Sequence, residues 1–88
     1  MNVEKEKLHS DFKKAYAKAS SMKTPLPQDI MLLFYAYYKQ ATSGDNFSFN
    51  TNFDVRNGFK FNAWMQLRGI SADEAKKEYV ELVNKYSN

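Results

Sequence analysis

Two prolines and three glycines divide the 88-residue chain into four stretches, each long enough for one helix. Pro25 and Pro27 interrupt the chain after the first stretch, because proline lacks a backbone N–H and biases the preceding residue towards extended geometry. Gly44 and Gly69 follow the second and third stretches, at positions where glycine commonly ends a helix. This pattern predicts a small protein made of helices joined by mostly short connections.

The first and fourth stretches carry apolar residues at the spacing of one helix face. In the stretch from about Val3 to Ser21, these residues are Leu8, Phe12, Ala15, Tyr16 and Ala19. In the stretch that follows Ser71, they are Ala75, Tyr79, Leu82, Val83 and Tyr86. Ser71 and Glu74 also have the spacing of a capping box, which predicts the start of the fourth helix.

The middle of the chain combines a helix with an irregular segment. The third helix is predicted from about Val55 to Arg68, with Trp64 in the core. Residues 45–54 are rich in Asn, Ser and Thr and lack helical periodicity, so we expect a loop there. Some of its phenylalanines should pin this loop to the helices; they are Phe47, Phe49 and Phe53. With no strand pair evident, four amphipathic helices favour an all-α four-helix bundle.

Composition limits the cellular setting. One domain spanning residues 1–88 is the expectation for this length. The absence of cysteine excludes disulfides and thiol nucleophiles and fits a cytoplasmic protein. The charged start "MNVEKEKLHSDFKK" has no apolar signal-peptide run, and the longest apolar run, Ile30 to Tyr38, is about half of what a membrane span needs. We therefore expect a soluble, unsecreted protein.

Catalytic and metal-binding signals are weak. His9 is the only histidine, and the sequence offers no partner for it as a metal ligand or base, so a solvated surface position is predicted. Asp73 and Glu74 are better explained by helix capping than by acid–base chemistry. Ser71 has no base at a convincing spacing. The sequence therefore predicts neither an enzyme nor a bound metal or cofactor.

The second stretch, about Gln28 to Ser43, is apolar on two sides. At about 100° per residue, one side carries Met31, Tyr35, Tyr38 and Lys39. The opposite side carries Leu33, Phe34, Tyr37 and Ala41. A central helix packed on both sides is the plain explanation.

The residue types on the first side favour a ligand. Tyrosine buries a ring but keeps a hydroxyl that needs a partner, and lysine is costly to bury without an anion. Such a face suits a flat base joined to a phosphate. The net charge of +3 is compatible with a small anionic ligand, whereas extended nucleic acid usually draws a stronger basic field.

Two motifs resemble the acyl-coenzyme A-binding protein family. They are "YAYYKQATSGD" at residues 35–45 and "KFNAWMQLRGISADEAKKEYV" at residues 60–80. Both occur in the family's order, and the resemblance extends over essentially the whole chain. It implies a four-helix bundle in an up-down-down-up arrangement. It also implies a cytoplasmic monomer that binds long-chain acyl-CoA, without catalysis, for acyl-CoA pool formation and transport.

The resemblance further implies roles for the matched residues at the nucleotide end. Tyr35 and Lys39 would meet the 3′-phosphate region, and Tyr38 would stack near the adenine. Lys60 would add a second positive charge at the phosphates, and Arg56 matches another basic ligand-contacting position.

For the rest of the ligand, the resemblance implies that Met31 and Leu32 line the path of the acyl chain and that Tyr79 closes the site. The chain departs from the family pattern at Ser20, where a ligand-facing lysine is usual and for which Lys18 or Lys23 could substitute. Another departure is the loop "FSFNTNFD", which lacks the family's Arg-Pro-Gly element. Phe61 replaces the first aromatic of a Trp-x-x-Trp pair.

Two other classes of function remain open from the residues themselves. A basic helical module could bind nucleic acid with Tyr35 and Tyr38 as stacking platforms, and binding would then weaken steeply with salt. A protein-interaction module could use the same helix face. The resemblance favours acyl-CoA as the partner, with no nucleic acid and no stable membrane insertion.

Overall fold

Four α-helices form the described part of the chain, residues 3–47 and 55–87 of a computed structural model. They are α1 (Val3–Ser21), α2 (Gln28–Ser43), α3 (Val55–Met65) and α4 (Ala72–Tyr86). They run up, down, down and up; α2 packs against α3 and α4, and α1 packs against α4. The predicted all-α four-helix bundle is confirmed. Within these residues, none of the helices has the length and apolar character needed to cross a membrane.

Most helix ends follow from local residue chemistry. α1 and α2 have the predicted bounds. Gly44 adopts a φ of 60° after α2, and its N–H donates to the Gln40 carbonyl at 3.0 Å. Ser71 caps α4 as predicted, since its Oγ accepts a hydrogen bond from the Glu74 backbone N–H at 3.1 Å.

The end of α3 was predicted wrongly. The helix stops at Met65 rather than at Arg68, and the chain continues in tight turns in which the Leu67 N–H donates to the Trp64 carbonyl at 2.9 Å. Gly69 then takes a φ of 91°, a left-handed conformation that glycine accepts readily. Two backbone groups beyond Met65 bond to distant parts of the chain: the Gly69 N–H donates to Asp45, and the Ile70 carbonyl accepts from Gln40. A local sequence pattern does not reveal these contacts.

The core lies where α1, α2 and α4 meet. Its buried apolar members are Phe12, Ala15, Ala41, Ala75, Tyr79 and Val83. Five of the ten residues predicted for the apolar stripes of α1 and α4 belong to this buried cluster. Tyr16 was predicted on the buried stripe, but 47% of its surface is exposed. Its ring packs on Tyr38 at the edge of the core cluster.

A buried amide joins α2 to the rest of the bundle. Gln40 has 0% exposure, and its Nε2 donates to Asp45 Oδ1 at 2.8 Å and to the Ile70 carbonyl at 2.7 Å. Its Oε1 accepts from the Trp64 indole N–H at 3.0 Å. The same indole N–H also lies 3.2 Å from the Gly44 carbonyl. One side chain thus connects α2, the turn after it, α3 and the α3–α4 connection.

Asp45 extends this network to the end of the α3 turns. Its carboxylate accepts the Gly69 N–H at 3.1 and 3.3 Å. The hydrogen bond from Gln40, then the one from Gly69 and the charge of Arg68, hold the pKa of Asp45 below its ordinary value of 3.8. Folding therefore favours the ionised carboxylate.

The start of the predicted loop is pinned by an aromatic contact. Phe47 packs on Trp64, with ring centroids 4.8 Å apart, and edge-on against Phe61 at 6.4 Å. Trp64 is 2% exposed, which confirms its predicted place in the core. The predicted contribution of Phe49 and Phe53, and the rest of the loop to residue 54, lie outside the described residues.

Replacing the buried amide should destabilise the fold. Gln40→Leu leaves the Ile70 carbonyl and the Asp45 carboxylate without their amide donor, which should lower the free energy of unfolding by about 2–3 kcal/mol. Urea denaturation followed by Trp64 fluorescence measures this loss. The matched control is Gln66→Leu at an exposed position, which should change stability by about 0.5 kcal/mol or less. Equal losses in both variants would contradict the role given to Gln40.

Stability should also depend on the charge of Asp45. Because its pKa is lowered by folding, its contribution is fully present above pH 3.8 and is lost as the pH falls through the lower folded-state value. Asp45→Asn should therefore be less stable than the parent at about pH 6, and the difference should shrink as the pH falls below 3.8. Urea midpoints across this range test the prediction; a constant difference would contradict it.

Candidate functional site

A groove between α2 and α3 holds five of the eight predicted site residues. Its volume is about 650 Å³. The predicted residues in its wall are Met31, Leu32, Tyr35, Arg56 and Lys60. Two further lining residues, Leu26 and Gln28, were missed from the sequence. The available signal for Leu26 was an apolar side chain between two prolines in an otherwise polar connection.

Helical spacing explains how the α2–α3 groove is assembled. On α2, Met31 and Leu32 precede Tyr35 by four and three residues, so their side chains lie one turn below its ring. On α3, Arg56 and Lys60 are four residues apart and face the same cavity. The groove therefore combines an apolar α2 wall with a basic α3 wall.

Tyr35 and Lys60 make a direct contact across the groove. The Lys60 Nζ lies 5.4 Å from the centroid of the Tyr35 ring, within the range of a cation–π interaction. Such a contact at a partly exposed site is weak, about 0.5–1 kcal/mol. In the described part of the chain, neither Lys60 nor Lys39 pairs with a carboxylate. Among the described residues, no carboxylate therefore competes with an anion for either ammonium group.

Lys39 lies on the α3 side of α2 but is positioned by a different ring. Its Nζ is 4.9 Å from the centroid of the Trp64 ring. Trp64 is itself held by the Gln40 amide, so the network that fixes the fold also fixes the surface under this lysine. Lys39 and Lys60 thus lie on ring faces on the same side of α2.

Tyr38 points towards α1 and α4 and does not line the groove. Its ring stacks on Tyr16 at 4.7 Å and on Phe12 at 5.8 Å, and it is tilted against Tyr79 at 6.0 Å. Because Tyr35 and Tyr38 are three residues apart, their side chains leave α2 in directions that differ by about 60°. Tyr35 faces the groove, and Tyr38 faces Tyr16. The face predicted from the sequence is therefore divided between α3 and the α1–α4 side.

Tyr79 belongs to the core rather than to the wall of the groove. It is 3% exposed and packs against Phe12 at 5.2 Å and Phe34 at 6.1 Å. Burial raises the pKa of its phenol to about 12, with smaller effects from Tyr16 and Tyr38. The uncharged Tyr79 ring packs against Tyr38 from the core side.

A second cavity of about 390 Å³ lies next to the groove, beneath the α1–α2 connection. The two share Leu26 and Met31. Lys23 lines this second cavity, whereas Lys18 donates to Asn84 Oδ1 at 3.3 Å on the α1–α4 side. Of the two lysines considered as substitutes at the site, Lys23 is the one that lines the cavity next to the groove.

Comparisons with known proteins agree with the two motifs. The sequence profile of the family described as acyl-CoA-binding protein matches residues 9–83. The chain belongs to the acyl-CoA-binding protein family. An acyl-CoA-binding protein of Saccharomyces cerevisiae is 41% identical, with 82% of this chain and 90% of that protein covered. Acyl-CoA-binding protein homolog 1 of Caenorhabditis elegans is 38% identical, with 82% and 85% covered.

A solved structure of the family shares the fold. The crystal structure of Oryza sativa acyl-CoA-binding protein 2 matches with a TM-score of 0.79 and 29% identity, covering 89% of this chain and 88% of that one. Acyl-CoA-binding proteins bind their ligand without catalysing a reaction, in line with the prediction that the chain is not an enzyme. The nucleic-acid and protein-interaction alternatives find no support among these relatives.

Proposed function

We propose that this acyl-CoA-binding protein carries long-chain acyl-CoA as an intact thioester and thereby forms an acyl-CoA pool in the cytoplasm. The observation that carries the proposal is the α2–α3 groove, which joins an apolar wall to two cations in a chain of this family. The 88 residues act as one binding domain, and the protein works as a monomer. Acyl-CoA is its cargo and not a cofactor.

The nucleotide end is held by charge. Lys60 and Arg56 lie in the basic wall of the groove, and Lys39 lies on the same side of α2. Charge-assisted hydrogen bonds from such groups to phosphate oxygens contribute about 1.5–3 kcal/mol each. Tyr35 offers its hydroxyl beside Lys60, and Tyr38 offers a ring on which the adenine stacks. Tyr79 acts through Tyr38, by supporting it from the core.

The acyl tail is held by the hydrophobic effect. Met31, Leu32 and Leu26 provide an apolar path, and the cavity beneath the α1–α2 connection lengthens it. Each buried methylene contributes about 0.8 kcal/mol, so two added carbons tighten binding by roughly tenfold until the path is filled.

Affinity should separate the coenzyme ester from the free acid. Isothermal titration with palmitoyl-CoA should show tight 1:1 binding, whereas palmitate should bind at least about a hundredfold more weakly, since it loses the contacts to the phosphates. The apolar tail is identical in both ligands, so the difference isolates the nucleotide. Equal affinities would contradict recognition of the nucleotide.

The two lysines should read phosphate. Lys39→Ala and Lys60→Ala should each weaken palmitoyl-CoA binding by about tenfold or more, because each removes a charge-assisted contact. Lys39→Ala should reduce the affinity for 3′-dephospho-palmitoyl-CoA by less, because that ligand lacks the 3′-phosphate that Lys39 is predicted to contact. Lys77→Ala, at an exposed position on α4, is the matched control and should bind as the parent does. If both ligands lose affinity equally in Lys39→Ala, this lysine does not read the 3′-phosphate.

A further inference from the structure

The ring of Tyr38 is already stacked in the ligand-free protein. Tyr16 lies nearest to it, with centroids 4.7 Å apart and ring planes at 26°. Phe12, one turn earlier on α1, lies at 5.8 Å and 18°. Both geometries are those of offset-stacked aromatic pairs. An adenine that stacks on Tyr38 from this side therefore requires a place that one of these rings now holds.

Of the three rings described around Tyr38, one can move without opening the core. Phe12 is 5% exposed and Tyr79 is 3% exposed, so moving either of them would open the core. Tyr16 is 47% exposed, and α1 presents its side chain at the edge of the bundle. Rotation of the Tyr16 side chain towards solvent uncovers Tyr38 and leaves the buried cluster intact.

We propose that the Tyr16 ring occupies the adenine position in the free protein and is displaced when coenzyme A binds, so that Tyr16 lowers affinity for the nucleotide end of the ligand. This inference rests on the proposed function, from which the stacking role of Tyr38 is taken. Tyr16 is then a residue that tunes ligand affinity without being a required contact.

The size of the affinity penalty, and the part of the ligand to which it applies, follow from the loss of the Tyr16–Tyr38 ring contact. An aromatic pair of this kind changes an equilibrium by roughly two- to tenfold, so that is the penalty Tyr16 imposes. Tyr16 does not line the α2–α3 groove. The penalty therefore applies to the nucleotide and leaves the dependence on acyl-chain length unchanged.

Calorimetric titration of two variants tests this directly. The probes are coenzyme A, which has no tail, and dodecanoyl-CoA. Tyr16→Ala should bind both probes roughly two- to tenfold more tightly than the parent, by the same factor for each. Tyr16→Phe keeps the ring and is the matched control, with parental affinity expected. Unchanged or weaker binding by Tyr16→Ala, or tightening by Tyr16→Phe to the same extent, overturns the proposal.

A second measurement uses the unaltered protein and does not depend on how the variants fold. Nuclear Overhauser contacts between the ring protons of Tyr16 and Tyr38 should be present in the free protein and should disappear on saturation with coenzyme A. Their persistence in the complex overturns the inference and leaves the proposed function standing. Failure of the parent protein to bind either coenzyme probe overturns both.

Discussion

The buried amide of Gln40 is the interaction on which the rest of this structure depends. It has no exposed surface, and both of its donors and its acceptor are used. A buried amide without partners would cost several kcal/mol, so its partners have to be in place whenever α2 is packed. These partners include Trp64 of α3 and the Ile70 carbonyl before α4. The position of α3 against α2, and hence the groove between them, follows from this requirement.

The second helix contributes side chains to both the core and the α2–α3 groove, which explains why it is apolar on two sides. Phe34 and Tyr38 point to α1 and α4, where they join the ring cluster around Tyr79. Met31 and Tyr35 face the α2–α3 groove. Packing against α1 and α4 explains the apolar residues on one part of the helix surface. The remaining part lines the groove to which we assign the ligand.

Much of the fold could be predicted from local residue patterns. Proline and glycine positions, the Ser71 cap and the apolar stripes gave helix bounds that the structure confirms, because these features act within one or two turns. The prediction failed at the end of α3. There, the Gly69 N–H binds Asp45 and the Ile70 carbonyl binds Gln40, and both partners are distant in sequence. Hydrogen bonds of that kind outweigh the helical preference of the residues themselves.

The sequence by itself determined the four helices, the family and the set of candidate ligand-binding residues, since helical period and two motifs are local properties. Only the tertiary structure decided which of those residues line the groove and which pack in or against the core. It brought Arg56 and Lys60 to the Tyr35 side, set Lys39 on Trp64, buried Tyr79 and covered Tyr38 with Tyr16. The physical reason is that side chains about 60° apart on one helix meet whichever neighbour lies on their side. The neighbours are placed by packing between distant segments.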